Sequence, residues 1–241
     1  MLADYTVMEL IVAAGILAAG AAVQAGIGFG IALVSVPFLA LLNPALVPGP
    51  LIVAALALSC MTSWRDRRWI HRPEWATITA GVLAGTAAGV GVLLSVPAQY
   101  LPVLFGVMIL LAVLITALNP SFAIDVRSLL ITGSLAGLIG TCVGIHGPPV
   151  ALLYQGQPPD RVRAMLSAFF LVAYPIALAG LALSGFFGWS QLLAGLATLP
   201  GIALGYALGP YLARHVDARR LRALILSISA VSGLLLIVRS L

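Results

Sequence analysis

Residues 140–149 read Gly-Thr-Cys-Val-Gly-Ile-His-Gly-Pro-Pro and interrupt a long apolar segment that begins at residue 128. The glycines are irregularly spaced for a helix, and Pro148 and Pro149 break it outright because proline lacks an amide hydrogen. Inside an apolar segment such a break frees backbone N–H and C=O groups, which are costly to leave without partners in lipid. The stretch therefore predicts a bent hairpin that is buried in protein or lines a water-filled cavity.

The composition of the whole chain indicates that this break lies in a membrane. Of the 241 residues, 62% are hydrophobic and 8% are charged, whereas ordinary soluble domains carry about 25% charged residues. A soluble domain of this length could not hide so much apolar surface. The loops between apolar runs are too short to hold a soluble domain, so we expect an all-α membrane protein.

The membrane segments are predicted from apolar runs of roughly the 20 residues that cross a bilayer. They are 6–24, 27–43, 46–64, 76–95, 98–118, 128–145, 162–184, 187–209 and 220–240, with a shorter apolar piece at 148–157.

The arginines predict how these segments are oriented, since cytoplasmic loops concentrate Lys and Arg. All twelve basic residues are arginines in short gaps between apolar runs, which is not the pattern of a nucleic-acid-binding face. If every segment simply crossed the membrane, with 6–43 and 128–157 each counted as one crossing, six arginines would lie on each face. When 128–157 is a hairpin that enters and leaves on one face, eleven lie together and only Arg239 lies opposite. We therefore expect the loops at 65–75, 119–127, 155–163 and 210–222 to be cytoplasmic, and both chain termini to lie outside.

A weak internal repeat predicts a second hairpin in the first half of the chain. Residues 24–37, Gln-Ala-Gly-Ile-Gly-Phe-Gly-Ile-Ala-Leu-Val-Ser-Val-Pro, match residues 136–149 after a shift of 112, which pairs Gly28 with Gly140 and Pro37 with Pro149. The predicted fold is two inverted repeats, each a broken-helix or re-entrant hairpin plus three transmembrane helices, as in many secondary transporters. The repeats are 1–118, with hairpin 6–43, and 119–241, with hairpin 128–157.

Two sets of regularly spaced glycines are expected to pack helices rather than bind a ligand. A four-residue spacing draws a flat stripe on one helix face, which lets two backbones approach closely. The stripes are Gly81, Gly85 and Gly89 and, 120 residues later, Gly201, Gly205 and Gly209.

The two breaks are the predicted substrate site, because paired broken segments in corresponding halves indicate where a transporter binds its cargo. Open N–H groups and the positive end of a half-helix suit an anion, and side chains such as those of Gln24 and Thr141 can donate to an oxyanion. Arg163, at the start of a span, either attracts anions or extends its charge to the interface. The candidate binding residues are Gln24, Gly26, Gly28, Phe29, Gly30, Ser35, Pro37, Thr141, Cys142, Gly144, His146, Gly147, Pro148, Pro149 and Tyr174.

His146 is the clear ionisable side chain within the predicted spans, since every carboxylate maps to a loop or a helix end. Three roles stay open for it: a proton carrier, because imidazole changes charge near neutral pH, a neutral donor to the substrate, or a structural residue that bonds a carbonyl. Cys142 and His146 are spaced as a nucleophile and base could be. Without a carboxylate to orient the histidine, we do not expect an enzyme. The two cysteines form no spaced framework, and no disulfide, metal or cofactor is expected.

The sequence also resembles a known family at these residues. Gly26-Ile-Gly-Phe-Gly…Pro37, residues 140–149, Arg161-Val-Arg-Ala-Met-Leu-Ser-Ala-Phe-Phe170 and the glycine stripe with its arginine-rich loop at 201–222 are similar to those of the TauE/SafE, or sulfite exporter, family. The resemblance covers nearly the whole chain. It implies a multi-pass protein of the bacterial inner membrane that moves sulfite or an organosulfonate such as sulfoacetate.

The resemblance and the residues together predict a secondary transporter with alternating access. A passive channel or uniporter for the same anions is the alternative. The expected partners are the small anion and the lipid bilayer, with no nucleic acid. The oligomeric state, monomer or homodimer, stays open.

Overall fold

The computed structural model describes residues 5–28, 30–118, 123–215 and 218–238; the side chains of Ile27, Ala98, 212–215 and 218–222 also lie outside that description. Within these ranges the chain has eleven α-helices and no strand, so the predicted all-α fold is confirmed. Three 3-10 turns lie at Pro44–Leu46, Arg67–Trp69 and Ala98–Tyr100. The helices are α1 (Val7–Ile27), α2 (Ile31–Leu42), α3 (Gly49–Asp66), α4 (Arg72–Ser95), α5 (Leu101–Leu118), α6 (Val126–Val143), α7 (Gly147–Tyr154), α8 (Pro159–Leu183), α9 (Trp189–Ala197), α10 (Leu199–His215) and α11 (Ala218–Val238).

Six helices in the described part of the chain are long and apolar enough to cross a membrane, and the bent pair α9–α10 makes up to seven. The helices α2 and α7 have only 12 and 8 residues, or about 18 and 12 Å at 1.5 Å per residue. Neither could cross a bilayer alone. Each is the short return arm of a hairpin whose first arm, α1 or α6, is long enough to span.

The two arms of each hairpin end on the same face of the protein. In the first hairpin the hydroxyl of Tyr5 donates to the carbonyl of Ala45 at 2.9 Å, so the end of α2 lies beside the start of α1. In the second, residues 123–124 and 155–157 line one surface pocket. Each hairpin therefore enters and leaves the helical bundle at one end.

The arginine-rich segments gather at one end of the bundle. Arg161 donates to Glu74 at 2.6 Å and Arg163 donates to Asp66 at 3.3 Å, which joins the start of α8 to the α3–α4 connection. The guanidinium of Arg65 lies 5.9 Å from the ring centre of Tyr206 on α10. The end of α10 therefore reaches the same face, as the arginine count predicts.

Two predicted segments differ in detail from the structure. Segment 187–209, predicted as one span, is two helices inclined by 42°. The bend falls at Thr198, where Pro200 has no amide hydrogen to continue the ladder. The predicted loop 210–222 is largely helical, since α10 runs to residue 215 and α11 begins at residue 218.

Some parts of the predicted topology cannot be placed on the structure. The chain ends that were predicted to be outside, and the loop positions 119–122 and 216–217, lie outside the described residues.

The predicted packing role of the glycine stripes is confirmed. Helix α4 packs along α6 and α10 packs along α1, and the stripes lie in these two interfaces. A β-carbon on Gly85 would overlap the carbonyl of Ser134, and one on Gly205 would overlap the carbonyl of Ala18. The helix backbones are thus in direct contact, as small residues allow in membranes.

Two further helix pairs complete the bundle around the hairpins. Helix α3 packs against α8, and α5 packs against α11 where Gly106 and Gly233 face each other. The hydroxyl of Ser229 on α11 donates to the carbonyl of Leu33 at 2.8 Å and fixes the start of α2. Both hairpins pack against the α3–α8 pair, which brings both breaks to the interior.

Candidate functional site

Each hairpin turns at a glycine in the left-handed conformation. Helix α1 ends at Gly28 with φ 98°, and α6 ends at Gly144 with φ 84°. Their amides donate to the carbonyls of Gln24 and Gly140, both at 2.7 Å. Because a residue with a β-carbon loses roughly 1–2 kcal/mol in this conformation, the two glycines fix where the long arms stop.

The two breaks match each other at a register that differs from the sequence alignment. The left-handed caps Gly28 and Gly144 are 116 residues apart (144 − 28), and so are Gly30 and His146, the residues that precede α2 and α7 (146 − 30). The predicted shift of 112, which pairs Gly28 with Gly140, differs from this spacing of the helix caps by four residues. A four-residue slip returns to nearly the same helix face, so repeated glycines align almost as well at either shift.

The start of α2 presents open backbone amides. The side chain of Gln24 caps this end, since the amide of Ile31 donates to Oε1 of Gln24 at 3.3 Å. The helical ladder begins with Val34 donating to the carbonyl before α2 at 2.9 Å. The amides of Ala32 and Leu33 therefore have no partner inside the helix.

The start of α7 presents fewer amides than the sequence analysis expected. Pro148 and Pro149 take its second and third positions and have no amide hydrogen. The amide of Gly147 is the donor left in that turn. The helix forms there because proline's fixed φ suits a first turn, and the positive end of the helix dipole stays even though donors are lost.

The starts of α2 and α7 meet at a small cavity. Its volume is about 10 Å³, roughly the space of one water molecule. A ligand larger than water could enter only if the hairpins separate. The lining residues are Gln24, Gly30, Ala32, Leu33, Ile145, Gly147, Pro148, Phe170 and Tyr174, and five of these belong to the predicted site.

Gln24 brings an unused hydrogen-bond donor to this cavity. The residue is 2% exposed, and its Nε2 makes no hydrogen bond of ordinary geometry to a described residue, although the amide interacts with the nearby hydroxyl of Tyr174. Because Oε1 accepts from the α2 amide, Nε2 is the atom left to donate. An unpaired buried donor costs about 1–3 kcal/mol, so its place beside a cavity indicates a ligand site.

His146 lies directly behind the cavity and is fully buried. Its ring packs edge-on against Tyr174, with ring centres 5.0 Å apart. Nδ1 lies 3.3 Å from the carbonyl oxygen of Gly144, which can only accept a hydrogen bond. With hydrogen on Nδ1, the neutral ring has an acceptor at Nε2 and donates there only as an imidazolium. Nε2 has no partner in the described structure.

Three of the predicted polar site residues point into helix interfaces rather than into the cavity. Ser35, Thr141 and Cys142 bond, respectively, to the carbonyl of Ile16 at 3.4 Å, the hydroxyl of Thr86 at 3.3 Å and the carbonyl of Gly89 at 3.6 Å. These contacts hold α2 on α1 and α6 on α4.

The other predicted residues have varied positions. Pro37 and Pro149 are buried within α2 and α7 and do not line the small cavity. Gly28 backs onto the side chain of Arg163, and Gly26 lines a second cavity. Phe29 lies outside the described residues.

The second cavity, here called the vestibule, opens near the arginine-rich end and has a volume of about 310 Å³. That size suits a small ligand. Pro148 lines both cavities, so the vestibule ends beside the small one. The vestibule is lined by Gly26, Thr116, Pro148, Ala151, Leu152, Gln155, Gln157, Pro159, Val162 and Arg163.

The apolar part of the small cavity and the glutamines of the vestibule were not predicted from the sequence. Phe170 could have been found, because it lies one helical turn before Tyr174 on α8 and stacks on its ring with centres 5.1 Å apart. The glutamines 155 and 157 carried no periodic signal in a connection that was taken as a loop.

The family model described as Sulfite exporter TauE/SafE matches residues 11–236. Neither a curated protein nor a solved structure matches the chain. The family match spans both hairpins, the glycine interfaces and the helices around them. This chain therefore belongs to the sulfite exporter TauE/SafE family of membrane transporters.

Proposed function

We propose that the protein is a secondary transporter of sulfite or an organosulfonate such as sulfoacetate, which it binds between the starts of α2 and α7. The observation that carries the proposal is the unused Nε2 of Gln24 beside the open amides of Ala32 and Leu33. A sulfur oxyanion offers negative charge and several acceptor oxygens to such donors at the positive end of a helix. Family membership supports the cargo class.

The pairing of helices supports two inverted repeats, 1–118 and 119–241, as the machinery of transport. The α1–α10 contact has its counterpart in α6–α4, and α2–α11 has its counterpart in α7–α5. Corresponding helices also pair with each other, as α3–α8 and α5–α11. A pseudo-two-fold axis between these pairs would produce this pattern. The hairpins could then exchange two conformations and open the site to each side in turn.

The sizes of the two cavities favour a carrier over a passive channel. The vestibule approaches the site from the arginine-rich end, while the small cavity beyond it holds no more than about one water molecule. A channel would need a continuous path. We assign the arginine-rich end to the cytoplasm of a bacterial cell by the positive-inside rule.

The small cavity has no cationic side chain among its described lining residues. The charge of the anion would be balanced by backbone and amide dipoles instead. Such a site favours modest affinity and ready release, as a transporter requires. The size of the cavity also means that binding must be linked to movement of the hairpins.

The contacts of Cys142 and His146 argue against the alternative of a membrane enzyme. The thiol is bonded to the carbonyl of Gly89, and Nδ1 of the imidazole lies against that of Gly144. In the described contacts the two side chains bond backbone carbonyls rather than each other, so the thiol has no base.

Flux of radiolabelled sulfite and sulfoacetate in proteoliposomes tests the proposal. We expect saturable, protein-dependent flux, and flux that is accelerated by unlabelled substrate on the opposite side. A channel would show flux without that acceleration. Protein-free liposomes and acetate as cargo are the controls, and absence of protein-dependent flux for both sulfur anions would reject the proposal.

Thermal stabilisation provides an independent measure of binding. A ligand at 100 times its Kd adds about 2.7 kcal/mol to the folded state. We expect sulfite or sulfoacetate to stabilise the purified protein more than sulfate, taurine or a phosphonate at equal concentration.

A further inference from the structure

Arg163 is the one cationic residue in the described lining of the vestibule. Its side chain is 23% exposed and packs beneath the turn of the first hairpin, where a β-carbon on Gly28 would lie 3.0 Å from its Cγ. The guanidinium therefore stands on the path between the arginine-rich end and the small cavity. Simple extension of the charge to a lipid interface does not explain this position.

The guanidinium of Arg163 is only partly engaged. Nε donates to Asp66 at 3.3 Å and Nη2 donates to Asp160. Nη1 has no hydrogen bond to any described residue. Asp160 is 52% exposed whereas Asp66 is 8% exposed. Because an ion pair with an exposed carboxylate contributes little to stability, an anion arriving from solvent can replace Asp160 at little cost.

Gln157 supplies a second donor whose direction is fixed by its neighbour. Nη1 of Arg161 donates to Oε1 of Gln157 at 3.0 Å. That bond assigns the oxygen of the amide to Arg161 and leaves Nε2 to donate. Gln157 lines the same vestibule as Arg163. Arg161 is in turn held by Glu74 at 2.6 Å, so the amide is oriented by a fixed ion pair.

We propose that Arg163 and Gln157 form a second oxyanion subsite, in the vestibule, which binds the substrate before it passes between the hairpins. This inference rests on the proposed function and adds a site to it. The anion exchanges with Asp160 at Nη2, uses the free Nη1 and accepts from Nε2 of Gln157. The vestibular subsite would thereby raise the local substrate concentration beside Pro148, where the two cavities meet.

Initial rates of transport from the arginine-rich side, measured against substrate concentration in oriented proteoliposomes, test this subsite. We expect Arg163→Gln to raise KM about three- to tenfold, from the loss of a charge-assisted hydrogen bond in a partly exposed place. The maximal rate should stay within about twofold of wild type, because the site between the hairpins is intact. Gln keeps the Cβ and Cγ that pack beneath Gly28, so the fold is spared.

Asp160→Asn should have the opposite effect and lower KM, because it removes the carboxylate that competes with the anion. Arg163→Lys should fall between wild type and Arg163→Gln, since it keeps the charge but not the planar fork. Arg67→Gln is the matched control. It removes a charge at the same end of the protein, from an exposed side chain that stacks on Trp64 away from the vestibule.

The outcomes separate this inference from the function on which it rests. Absence of flux in wild type would reject both. Transport by wild type with equal KM in Arg163→Gln and Arg67→Gln, or with no fall of KM in Asp160→Asn, would overturn the vestibular subsite alone. Opposite shifts of KM in the Arg163 and Asp160 variants would support it.

Discussion

The imidazole of His146 fills the space that a β-carbon on residue 140 would need, so Gly140 and His146 fit only as a pair. At the corresponding positions of the first break, 116 residues earlier (140 − 24), stand Gln24 and Gly30. The large and the small residue are exchanged between the halves. At these paired positions each break thus has one buried polar side chain, from the long arm in the first half and from the start of the return arm in the second.

Gly140→Ala should destabilise the protein by about 1–3 kcal/mol, because the added methyl group overlaps a buried ring that has little room to move. The measurement is the melting temperature of the purified protein in detergent. Gly91→Ala is the control, since a β-carbon on Gly91 meets nothing within 4 Å. Equal melting temperatures for the two variants would contradict the packing of His146 on Gly140.

The exchanged pair can also be tested by making the second break like the first. Gly140→Gln alone should be poorly folded, while Gly140→Gln combined with His146→Gly should recover much of the lost stability. The reason is that the double variant again has one large and one small residue. Yield of monodisperse protein and melting temperature measure the effect, and additive losses in the double variant would show that the two breaks are not equivalent.

Gln24→Glu should lower substrate affinity about 10- to 100-fold, because it replaces the donor that faces the cavity by a carboxylate oxygen. The remaining oxygen can still accept from the amide of Ile31, so the start of α2 should stay capped. Ser35→Ala is the control, since that hydroxyl bonds to Ile16 outside the cavity. Substrate-induced thermal stabilisation measures the affinity. Wild-type affinity in Gln24→Glu would remove Gln24 from the site.

His146→Gln should make transport independent of pH if the imidazole carries the coupled proton. With Nδ1 bonded to Gly144, Nε2 attracts an anion only when the ring is protonated. The measurement is the transport rate of sulfoacetate, whose charge stays constant near neutral pH, by wild type and His146→Gln across a series of pH values. A full pH dependence in His146→Gln would assign coupling to another group and leave this histidine a structural role.

Cysteines placed at Arg68 and Arg220 should both react with an impermeant maleimide in inside-out vesicles and stay protected in right-side-out vesicles. The expectation follows from the gathering of arginine-rich segments at one end and from the positive-inside rule. Because Cys60 is exposed, the experiment requires a background with Cys60→Ala. Labelling of the two positions from opposite sides would reject the proposed topology.

The sequence by itself determined the membrane class, the position of both breaks and the packing role of the glycine stripes. These properties are local or additive. The apolar content of the chain indicates a lipid environment, proline and glycine end helices, and a four-residue spacing of glycines makes one helix face flat. The arginine count also predicted which segments share one end of the bundle, since charge is excluded from the bilayer wherever the chain crosses it.

Only the tertiary structure decided which polar side chains reach the cavity. Gln24 and Ser35 are both polar residues near one break, yet the first faces the cavity and the second faces α1. Their directions depend on the rotation of each helix about its axis, and helix packing across the chain fixes that rotation. For the same reason the structure, and not the sequence, chose between repeat registers one helical turn apart and placed Arg163 beside the first hairpin.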